Sequence, residues 1–246
     1  MSVNNCTIEI LDMVDSTNNY AMGLTRSGLW RHGNACIAME QSEGKGTRGK
    51  KWESEKGVNV MMSIMVETSF MRVQDQFYLS AVTALACLDI FSKYSSELTK
   101  IKWPNDIYYG DRKAGGILIE NVIMGPIWQN SIIGIGLNIN QESFTNFSAR
   151  AVSLKQITGR QFDIVEIATE IYNAFIDRFE LLKSFAFDDI IQEYNLHLFR
   201  KGEKIKLKTA SEILETIIMG VSKDGYLYTT DVIDRKFSFG EIEWVL

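Results

Sequence analysis

The sequence is poor in the residues on which disulfide-stapled and zinc-stabilised proteins depend. Its 246 residues include two prolines, two histidines and three cysteines. Cys6, Cys36 and Cys87 are odd in number and far apart, which is typical of reduced thiols in a cytosolic protein. With only His32 and His197, and no close cluster of cysteine and histidine, a structural zinc site is not expected.

Signals for membrane insertion, secretion and non-specific nucleic-acid binding are also missing. No apolar run approaches the roughly 18 residues of a membrane span. The first residues, MSVNNCTIEILD, do not resemble a signal peptide. The net charge of −5 has the wrong sign for a surface that attracts nucleic acid. We therefore expect a cytoplasmic protein that does not contact membranes.

The remaining composition, 46% apolar and 23% charged, is that of a globular protein with one sizeable core. Helical spacing predicts helices over 15–27, 74–95 and 164–184, the last capped by Asp163. The apolar run 58–66 predicts a buried strand. These elements indicate an α+β body over residues 1–198, with helices packed on a mixed or antiparallel sheet.

The pattern changes near residue 200. Lys204, Lys206 and Lys208 alternate with Ile205 and Leu207, which is the period of a half-exposed strand. A hairpin turn is then predicted at Asp224-Gly225. Residues 199–246 are therefore predicted to form a small all-β module of four or five short strands.

Residues 42–57, SEGKGTRGKKWESEKG, form a cationic, glycine-rich segment. Five cations against three glutamates give a local charge of +5 − 3 = +2. Glycines let backbone amides approach a ligand, and cations suit phosphate or carboxylate oxygens. On spacing alone, a solvated hairpin is an equal alternative. Gly44 to Lys50 matches most of a P-loop, but Lys51 stands where the motif needs Ser or Thr, so that interpretation is rejected.

Residues 101–120, IKWPNDIYYGDRKAGGILIE, place Asp106 and Lys113 on either side of a short connection. Pro104 cannot donate to a central sheet, so WPND is predicted to turn the chain at a strand end. Lys113 precedes Gly115 and Gly116, which open the next strand. It either points into a pocket or is an ordinary turn lysine, and the residues alone favour the second reading.

Residues 130–140, NSIIGIGLNIN, alternate an apolar face with a face of Gly134, Gly136, Asn138 and Asn140. Two glycines and two amides build a poor core but a suitable floor for a ligand with polar edges. The alternative is a solvent-facing strand whose glycines serve close packing.

These segments, in this order, resemble the biotin protein ligase family. GKGTRGKKW is similar to the family's glycine- and arginine-rich loop, KWPND with DRKAGGILIE to its central signature, and GIGLNIN to its third. DSTNNYA resembles its Ser-Thr-Asn element. The resemblance covers essentially the whole chain and implies a C-terminal SH3-like β-barrel. It also implies formation of biotinyl-5′-AMP from biotin and ATP, followed by transfer of biotin to a lysine of a biotin carboxyl carrier protein.

The resemblance implies a role for each matching residue. Ser16, Thr17 and Asn18 would hydrogen-bond the ureido ring of biotin, and Lys113 would contact both its carboxylate and the α-phosphate. The implied biotin site comprises Ser16, Thr17, Asn18, Gln41, Gly44, Lys45, Lys113, Gly115 and Gly116.

The implied nucleotide site comprises Lys45, Arg48, Trp52, Asn138 and Asn140, with Trp52 packing against the adenine. Lys113, Arg48 and Asp106 are the implied catalytic residues. Asp106 would organise Mg²⁺ or the incoming lysine.

Two positions depart from the family's pattern. Lys45 replaces a usual arginine, and a lysine lacks the bidentate fork of a guanidinium. Thr47 replaces a second arginine, so retention of the adenylate is left open, as is compensation by neighbouring cations. The chain begins about fourteen residues before the Ser-Thr-Asn element. A DNA-binding helix-turn-helix extension, and hence a repressor role, is therefore not expected.

Other functions compete with this interpretation. A lipoate ligase shares the adenylate chemistry but takes a longer apolar acid, a non-catalytic sensor would bind the adenylate only, and a scaffold would use the β module. The Ser-Thr-Asn cluster favours biotin, and Lys113, Asp106 and the cationic loop favour catalysis. Family members often pair through the sheet of the catalytic domain, so a homodimer is left open.

We predict that residues 42–57 order over bound ligand, because the adenylate hydrolyses if water reaches it. Their amide hydrogens should exchange quickly in the free protein and slowly with biotin and ATP, whereas strand 58–66 should exchange slowly in both states. Hydrogen-exchange mass spectrometry measures both segments in one experiment. Equal protection of 42–57 with and without ligands would contradict the prediction.

Overall fold

A computed structural model describes residues 7–144 and 150–245. These residues form two β-sheets and five α-helices, with Cys6 outside the described part. The strands β1–β7 of the larger sheet are Ile8–Val14, Ala35–Gln41, Val60–Glu67, Thr99–Lys102, Asp106–Tyr109, Arg112–Met124 and Ile127–Leu137. The strands β8–β12 of the smaller sheet are Lys204–Lys208, Ile213–Val221, Leu227–Thr230, Asp234–Phe237 and Glu243–Val245. The helices α1–α5 are Thr17–Arg26, Gln76–Tyr94, Leu154–Thr158, Ile164–Lys183 and Phe187–Leu196.

The larger sheet has the strand order β1-β2-β3-β7-β6-β5-β4. Strands β1 and β2 run parallel, and every other neighbouring pair is antiparallel. The prediction of an α+β body with a mixed sheet is confirmed. The predicted helices and the strand at 58–66 are found within two residues of their predicted ends.

The two faces of this sheet are covered unequally. Helices α2, α4 and α5 pack together over one face, where Ile133, Ile135 and Leu137 of β7 enter the main core. Helix α1 covers part of the other face with a small cluster around Ala21 and Trp30. Because side chains alternate along a strand, Gly134 and Gly136 of β7 lie on the α1 face. That face is therefore left open beside α1.

The local sequence explains where the long α4 helix begins. Asp163 accepts hydrogen bonds at Oδ1 from the backbone N–H groups of Val165 (2.8 Å) and Glu166 (3.0 Å), satisfying two donors that the helix itself cannot. Ser16 occupies the equivalent position before α1, but its hydroxyl makes no capping bond. The polar residue expected to cap α1 is therefore present, but its side chain makes no capping hydrogen bond.

The C-terminal strands form an antiparallel sheet in the order β11-β10-β9-β8-β12, which confirms the small β module. Leu207 and Leu227 of this sheet are fully buried and belong to the same core as the larger sheet. At the predicted Asp224-Gly225 turn, the Trp103 indole N–H donates to the Gly225 carbonyl oxygen at 2.9 Å. The module is thus packed on the body, and a domain boundary at residue 198 stays a prediction.

No helix within residues 7–144 and 150–245 has the length and apolar character needed to cross a membrane. Cys36 and Cys87 are both buried and free. Burial raises the pKa of the Cys36 thiol to about 12 and also raises that of Cys87, so both stay protonated near neutral pH.

Gly225→Ala should destabilise the packing of the β module on the body. Gly225 has φ +79°, and an added Cβ would lie 2.7 Å from the Phe77 ring. We expect a loss of at least about 2 kcal/mol in the free energy of unfolding, measured by urea denaturation.

Gly110→Ala is the matched control, since Gly110 also has positive φ (+53°) but no atom within 4 Å of its added Cβ. Backbone strain alone should cost it about 1 kcal/mol. Equal losses in the two variants would show that the Phe77 contact does not matter.

Candidate active site

A row of directly paired residues crosses five strands on the α1 face of the larger sheet. Met61 on β3 pairs with Gly136, Gly136 with Gly116, Gly116 with Asp106, and Asp106 with Lys102 on β4. Paired residues project to the same face, and neighbouring strands lie about 4.8 Å apart. The row therefore presents a glycine floor, then a carboxylate, then an ammonium group.

The floor glycines are needed because other side chains lie directly against them. A Cβ added to Gly134 would lie 2.4 Å from Asn18 Oδ1, and one added to Gly136 would lie 2.6 Å from Cε2 of Trp52. No larger residue fits at either position unless Asn18 or Trp52 moves. The glycine face predicted from the sequence is thus the floor of a cleft.

One end of the cleft is a buried polar cluster at the start of α1. Thr17 donates from its backbone N–H (2.7 Å) and its hydroxyl (3.1 Å) to Gln41 Oε1. Asn18 donates to Glu120 Oε2 at 2.7 Å and accepts from the Ser63 hydroxyl at 2.6 Å. These bonds fix the orientation of the side chains in the absence of any ligand.

Two lysines of the cleft are each paired with a carboxylate, Lys45 beside the polar cluster and Lys113 at the other end. Lys113 Nζ donates to Asp106 Oδ1 at 2.6 Å, and both side chains are partly buried. Lys45 Nζ lies 3.7 Å from Glu120 Oε1 and donates to Asn19 Oδ1 at 2.5 Å. The resting cleft therefore holds closely balanced charge.

Lys113 reaches the cleft because the ladder between β5 and β6 is irregular. Asp106 pairs with Gly116 and Tyr108 with Lys113, with a register shift between Ile107 and Tyr108. Strict alternation would send residues 113 and 116 to opposite faces. The shift brings both to one face, where a Cβ on Gly116 would lie 3.3 Å from Lys113 Nζ.

The cleft is narrow in this structure, with a volume of about 50 Å³, well below the roughly 300–1,000 Å³ typical of small-molecule sites. The predicted site residues that line it are Ser16, Thr17, Asn18, Gln41, Lys45, Trp52, Asp106, Lys113 and Gly116. The structure thus brings together most of the predicted biotin site with two of the five predicted nucleotide residues, Lys45 and Trp52. The individual roles of these residues stay predictions.

Trp52 contributes a buried donor without an acceptor. Its indole N–H makes no hydrogen bond to any described residue, while its ring lies against Gly136 in the cleft. An unsatisfied buried donor costs about 1–3 kcal/mol. A ligand with an acceptor atom at this point of the floor would remove that cost.

Arg48 is not brought to the cleft. It lies at the exposed tip of the glycine-rich loop with φ +59°. Its guanidinium lies near Gly240 of the C-terminal module, where an added Cβ would be 3.8 Å from Arg48 Cζ. The left-handed backbone at the tip directs this side chain across a groove next to the cleft, so a role for Arg48 at the cleft requires a different loop conformation.

Asn138 and Asn140 also lie away from the cleft, because β7 ends at Leu137 and the alternation stops there. Asn138 is buried and donates to the Lys113 carbonyl oxygen at 3.3 Å. The Asn140 amide exchanges two hydrogen bonds with the backbone of Phe162, at 2.8 and 3.0 Å. Both amides are used to hold chain segments behind the cleft, and their predicted place on the ligand face is not observed.

Gly44 and Gly115 have packing roles rather than cleft positions. A Cβ on Gly44 would lie 2.3 Å from the Trp52 carbonyl oxygen, and one on Gly115 would lie 2.1 Å from Cδ2 of Leu137 on the other face of the sheet. Gly44 closes the loop that carries Trp52, since the Trp52 N–H donates to the Gly44 carbonyl oxygen at 2.8 Å.

Three polar residues of the site were not singled out from the sequence. Glu120 is the partner of both Asn18 and Lys45. Asn105 lines the cleft and donates to the Ile117 carbonyl oxygen at 2.6 Å. Lys102 completes the cross-strand row. The sequence carried no local signal for Lys102, because its place beside Asp106 depends on the pairing of β4 with β5.

The environment of Lys102 is unusual for a lysine. Its ammonium group donates to the Tyr108 hydroxyl at 3.0 Å and lies 4.6 Å from the Tyr108 ring and 5.5 Å from the Trp244 ring. Burial lowers the pKa of Lys102 to about 8, with Lys113 and Lys50 lowering it further and Asp106 opposing them. Within the described chain no carboxylate lies within ion-pair distance of it.

Comparison with known proteins agrees with this geometry. Residues 10–138 match the model of the Biotin/lipoate A/B protein ligase family. The bifunctional ligase/repressor BirA of Escherichia coli is 36% identical over 138 residues, 54% of this chain and 40% of that protein. The biotin–[acetyl-CoA-carboxylase] ligase of Paracoccus denitrificans is 29% identical over 225 residues, covering 89% of this chain and 92% of that protein.

The fold has counterparts among solved structures. The biotin protein ligase from Aquifex aeolicus in complex with biotin and ATP superposes with a TM-score of 0.80 at 24% identity, covering 96% of this chain and 97% of that one. The chain belongs to the Biotin/lipoate A/B protein ligase family. It spans about two fifths of the length of the Escherichia coli relative.

Lys102→Met should stabilise the protein at neutral pH. Lys102 is charged in both the folded and unfolded states below pH 8, so its burial costs free energy there. Between pH 8 and 10.5 the folded form loses its proton first, and the cost disappears. The gain in the free energy of unfolding should thus be full at pH 7 and largely absent near pH 10.5.

Urea denaturation at the two pH values measures this difference. Lys100→Met, on the same strand, controls for the general effect of removing a lysine. A gain at Lys102 that is the same at both pH values would contradict the prediction.

Proposed function

We propose that this chain is an ATP-dependent ligase that activates biotin as biotinyl-5′-AMP and transfers it to a lysine of a biotin carboxyl carrier domain. The supporting observation is the order of groups along the cleft: a polar cluster at one end, a glycine floor, and Lys113 with Asp106 at the other. Family membership restricts the acid to the biotin or lipoate class. The names of the relatives point to biotin.

The polar end suits the ureido ring of biotin, which has two N–H donors and one carbonyl acceptor. Ser16, Thr17, Asn18 and Gln41 converge there at the start of α1, where free backbone N–H groups favour an acceptor. An acid with a purely apolar tail would cover these polar groups without offering them any further hydrogen bond. Gly134 and Gly136 let Asn18 and Trp52 lie directly against the sheet beside this end of the cleft.

The carboxylate of the acid would then extend along the row towards Lys113. In the first step a carboxylate oxygen bonds to the α-phosphorus of ATP while the bond to the bridging oxygen breaks and pyrophosphate departs. Two anions must approach, so a cation held in place before reaction lowers the barrier. Lys113, which is held beside Asp106 in the cleft, would supply that cation by exchanging its carboxylate partner for substrate oxygens.

Magnesium fits this scheme as a companion of the nucleotide. Residues 7–144 and 150–245 contain no group of three His, Cys, Asp or Glu side chains that would hold a metal alone. Mg²⁺ is commonly bound through one or two carboxylates together with substrate phosphates, and Asp106 provides such a carboxylate. When bound, the ion would neutralise phosphate charge, while Lys113 remains the protein's own cation.

In the second step the acceptor amine attacks the carbonyl carbon of the mixed anhydride, and AMP leaves with the bonding electrons. The amine must lose a proton, and Asp106 is the carboxylate placed beside Lys113 to receive it. We propose a carrier domain as the acceptor because a lysine at the tip of a small domain can reach an open cleft. β1 lies at the edge of the larger sheet, so we also propose that two copies can pair along it.

Lys113→Ala should abolish adenylate formation without unfolding the protein. We expect at least a roughly 10²-fold loss in biotin-dependent ATP–pyrophosphate exchange, because one preorganised cation is removed from the transition state. Lys93→Ala is the matched control, since Lys93 also forms a lysine–carboxylate pair (2.9 Å to Glu170) but lies on α2, away from the cleft.

The same assay separates the candidate acids. Wild-type exchange with biotin and none with lipoate supports the proposal. Pyrophosphate exchange with lipoate but not with biotin would show that the acid substrate is lipoate. No exchange with either acid would refute the proposal that the chain is a ligase. Near-normal exchange by Lys113→Ala would remove Lys113 from the reaction.

A further inference from the structure

We propose that Lys102 binds the β- and γ-phosphates of ATP, and then the departing pyrophosphate, while Trp244 of the C-terminal module holds its ammonium group in place. This inference rests on the proposed function, because it assigns a residue to one end of the same substrate. Lys102 is the first residue of the KWPND segment, and it does not line the cleft itself.

The pairing register of the sheet puts Lys102 next to Asp106, at the end of the cross-strand row. Lys102 is the last member of the row Gly136, Gly116, Asp106, Lys102, and it projects to the cleft face beside Asp106. An acid whose ring lies at the polar end of the cleft places its carboxylate near Lys113 and Asp106. Groups attached to the far side of the α-phosphorus must continue away from the glycine floor, and along this row the next side chain is Lys102, about 4.8 Å further on.

The charges of the cleft give a second reason. Lys113 is paired with Asp106, and Lys45 lies beside Glu120, so each already has a nearby anion. Lys102 donates only to the neutral Tyr108 hydroxyl among the described residues. A triphosphate brings several negative charges into this cleft, more than Lys113 alone offsets. A partly buried ammonium group whose only partner is neutral is suited to accept them.

The ring contacts explain how this charge is maintained without a carboxylate. Tyr108 and Trp244 present their rings to the ammonium group at 4.6 and 5.5 Å. Phe199 joins the two rings, at 5.1 Å from Tyr108 and 5.7 Å from Trp244. Ring faces attract a cation while leaving its hydrogen-bond donors free. Trp244 belongs to β12, so the C-terminal module completes this setting.

Lys102→Met tests the inference, since it removes the charge and keeps much of the side chain's length. We expect the Kd of Mg²⁺-pyrophosphate, measured by calorimetry, and the KM for ATP in pyrophosphate exchange each to rise about tenfold or more. The Kd of biotin should not change, because biotin occupies the other end of the row. Lys100→Met, with the same charge change on the same strand, should leave all three values at wild type.

Trp244→Leu and Trp244→Phe test the positioning role. We expect the leucine variant to weaken pyrophosphate binding, and the phenylalanine variant to recover most of it, because a ring face is restored. Equal effects of the two variants would overturn the role of Trp244.

The outcomes distinguish this inference from the proposed function. Unchanged pyrophosphate binding in Lys102→Met, or equal weakening of pyrophosphate and biotin, would overturn it, since equal weakening indicates a purely structural lysine. Failure of the wild type to bind pyrophosphate would overturn it too. A wild type that binds pyrophosphate but exchanges none with any acid refutes the ligase alone, and the calorimetric comparison of Lys102→Met then still decides the role of Lys102.

Discussion

The pairing register of five strands is the constraint on which this site depends. Gly136 lies opposite Gly116, Gly116 opposite Asp106, and Asp106 opposite Lys102. A slip of one residue in any ladder would turn the affected side chains to the helix-covered face. The large core beneath α2, α4 and α5 opposes such slips, because Ile133 and Ile135, which alternate with the glycines along β7, are buried in it. The hydrophobic core thus fixes the chemistry on the opposite face.

Charge balance is the second feature that links structure to reaction. The resting cleft keeps Lys113 and Lys45 next to carboxylates, which limits the cost of holding cations in a partly buried site. On the proposed function, a negatively charged substrate would take the place of those carboxylates. Lys102 is the exception: its burial lowers its pKa to about 8 and costs stability, and its ring contacts only partly offset this cost. Such local losses of stability are typical of functional positions.

Much of the fold was predictable from the sequence, because periodicity and capping residues act locally: Asp163 does start α4, and the glycine face of β7 is real. The site was predictable less evenly. The alternation of side chains does not show where a strand ends. Asn138 and Asn140 follow the last residue of β7, so they do not lie on the ligand face that the sequence predicts. The register shift that turns Lys113 into the cleft, and the pairing that brings Lys102 beside Asp106, depend on contacts between strands. No local pattern encodes them.

The C-terminal module borders the groove next to the cleft, where Gly225, Tyr226 and Phe239 line the groove together with Arg48 and Pro104. It receives the Trp103 N–H at Gly225, it holds the Arg48 guanidinium near Gly240, and it presents the Trp244 ring to Lys102. The first contact holds the turn that leads into Asp106, and the third limits the end of the row. The second is an approach of the exposed Arg48 guanidinium to Gly240. On the proposed function, closure of the loop over a substrate would carry Arg48 away from Gly240 and towards the cleft.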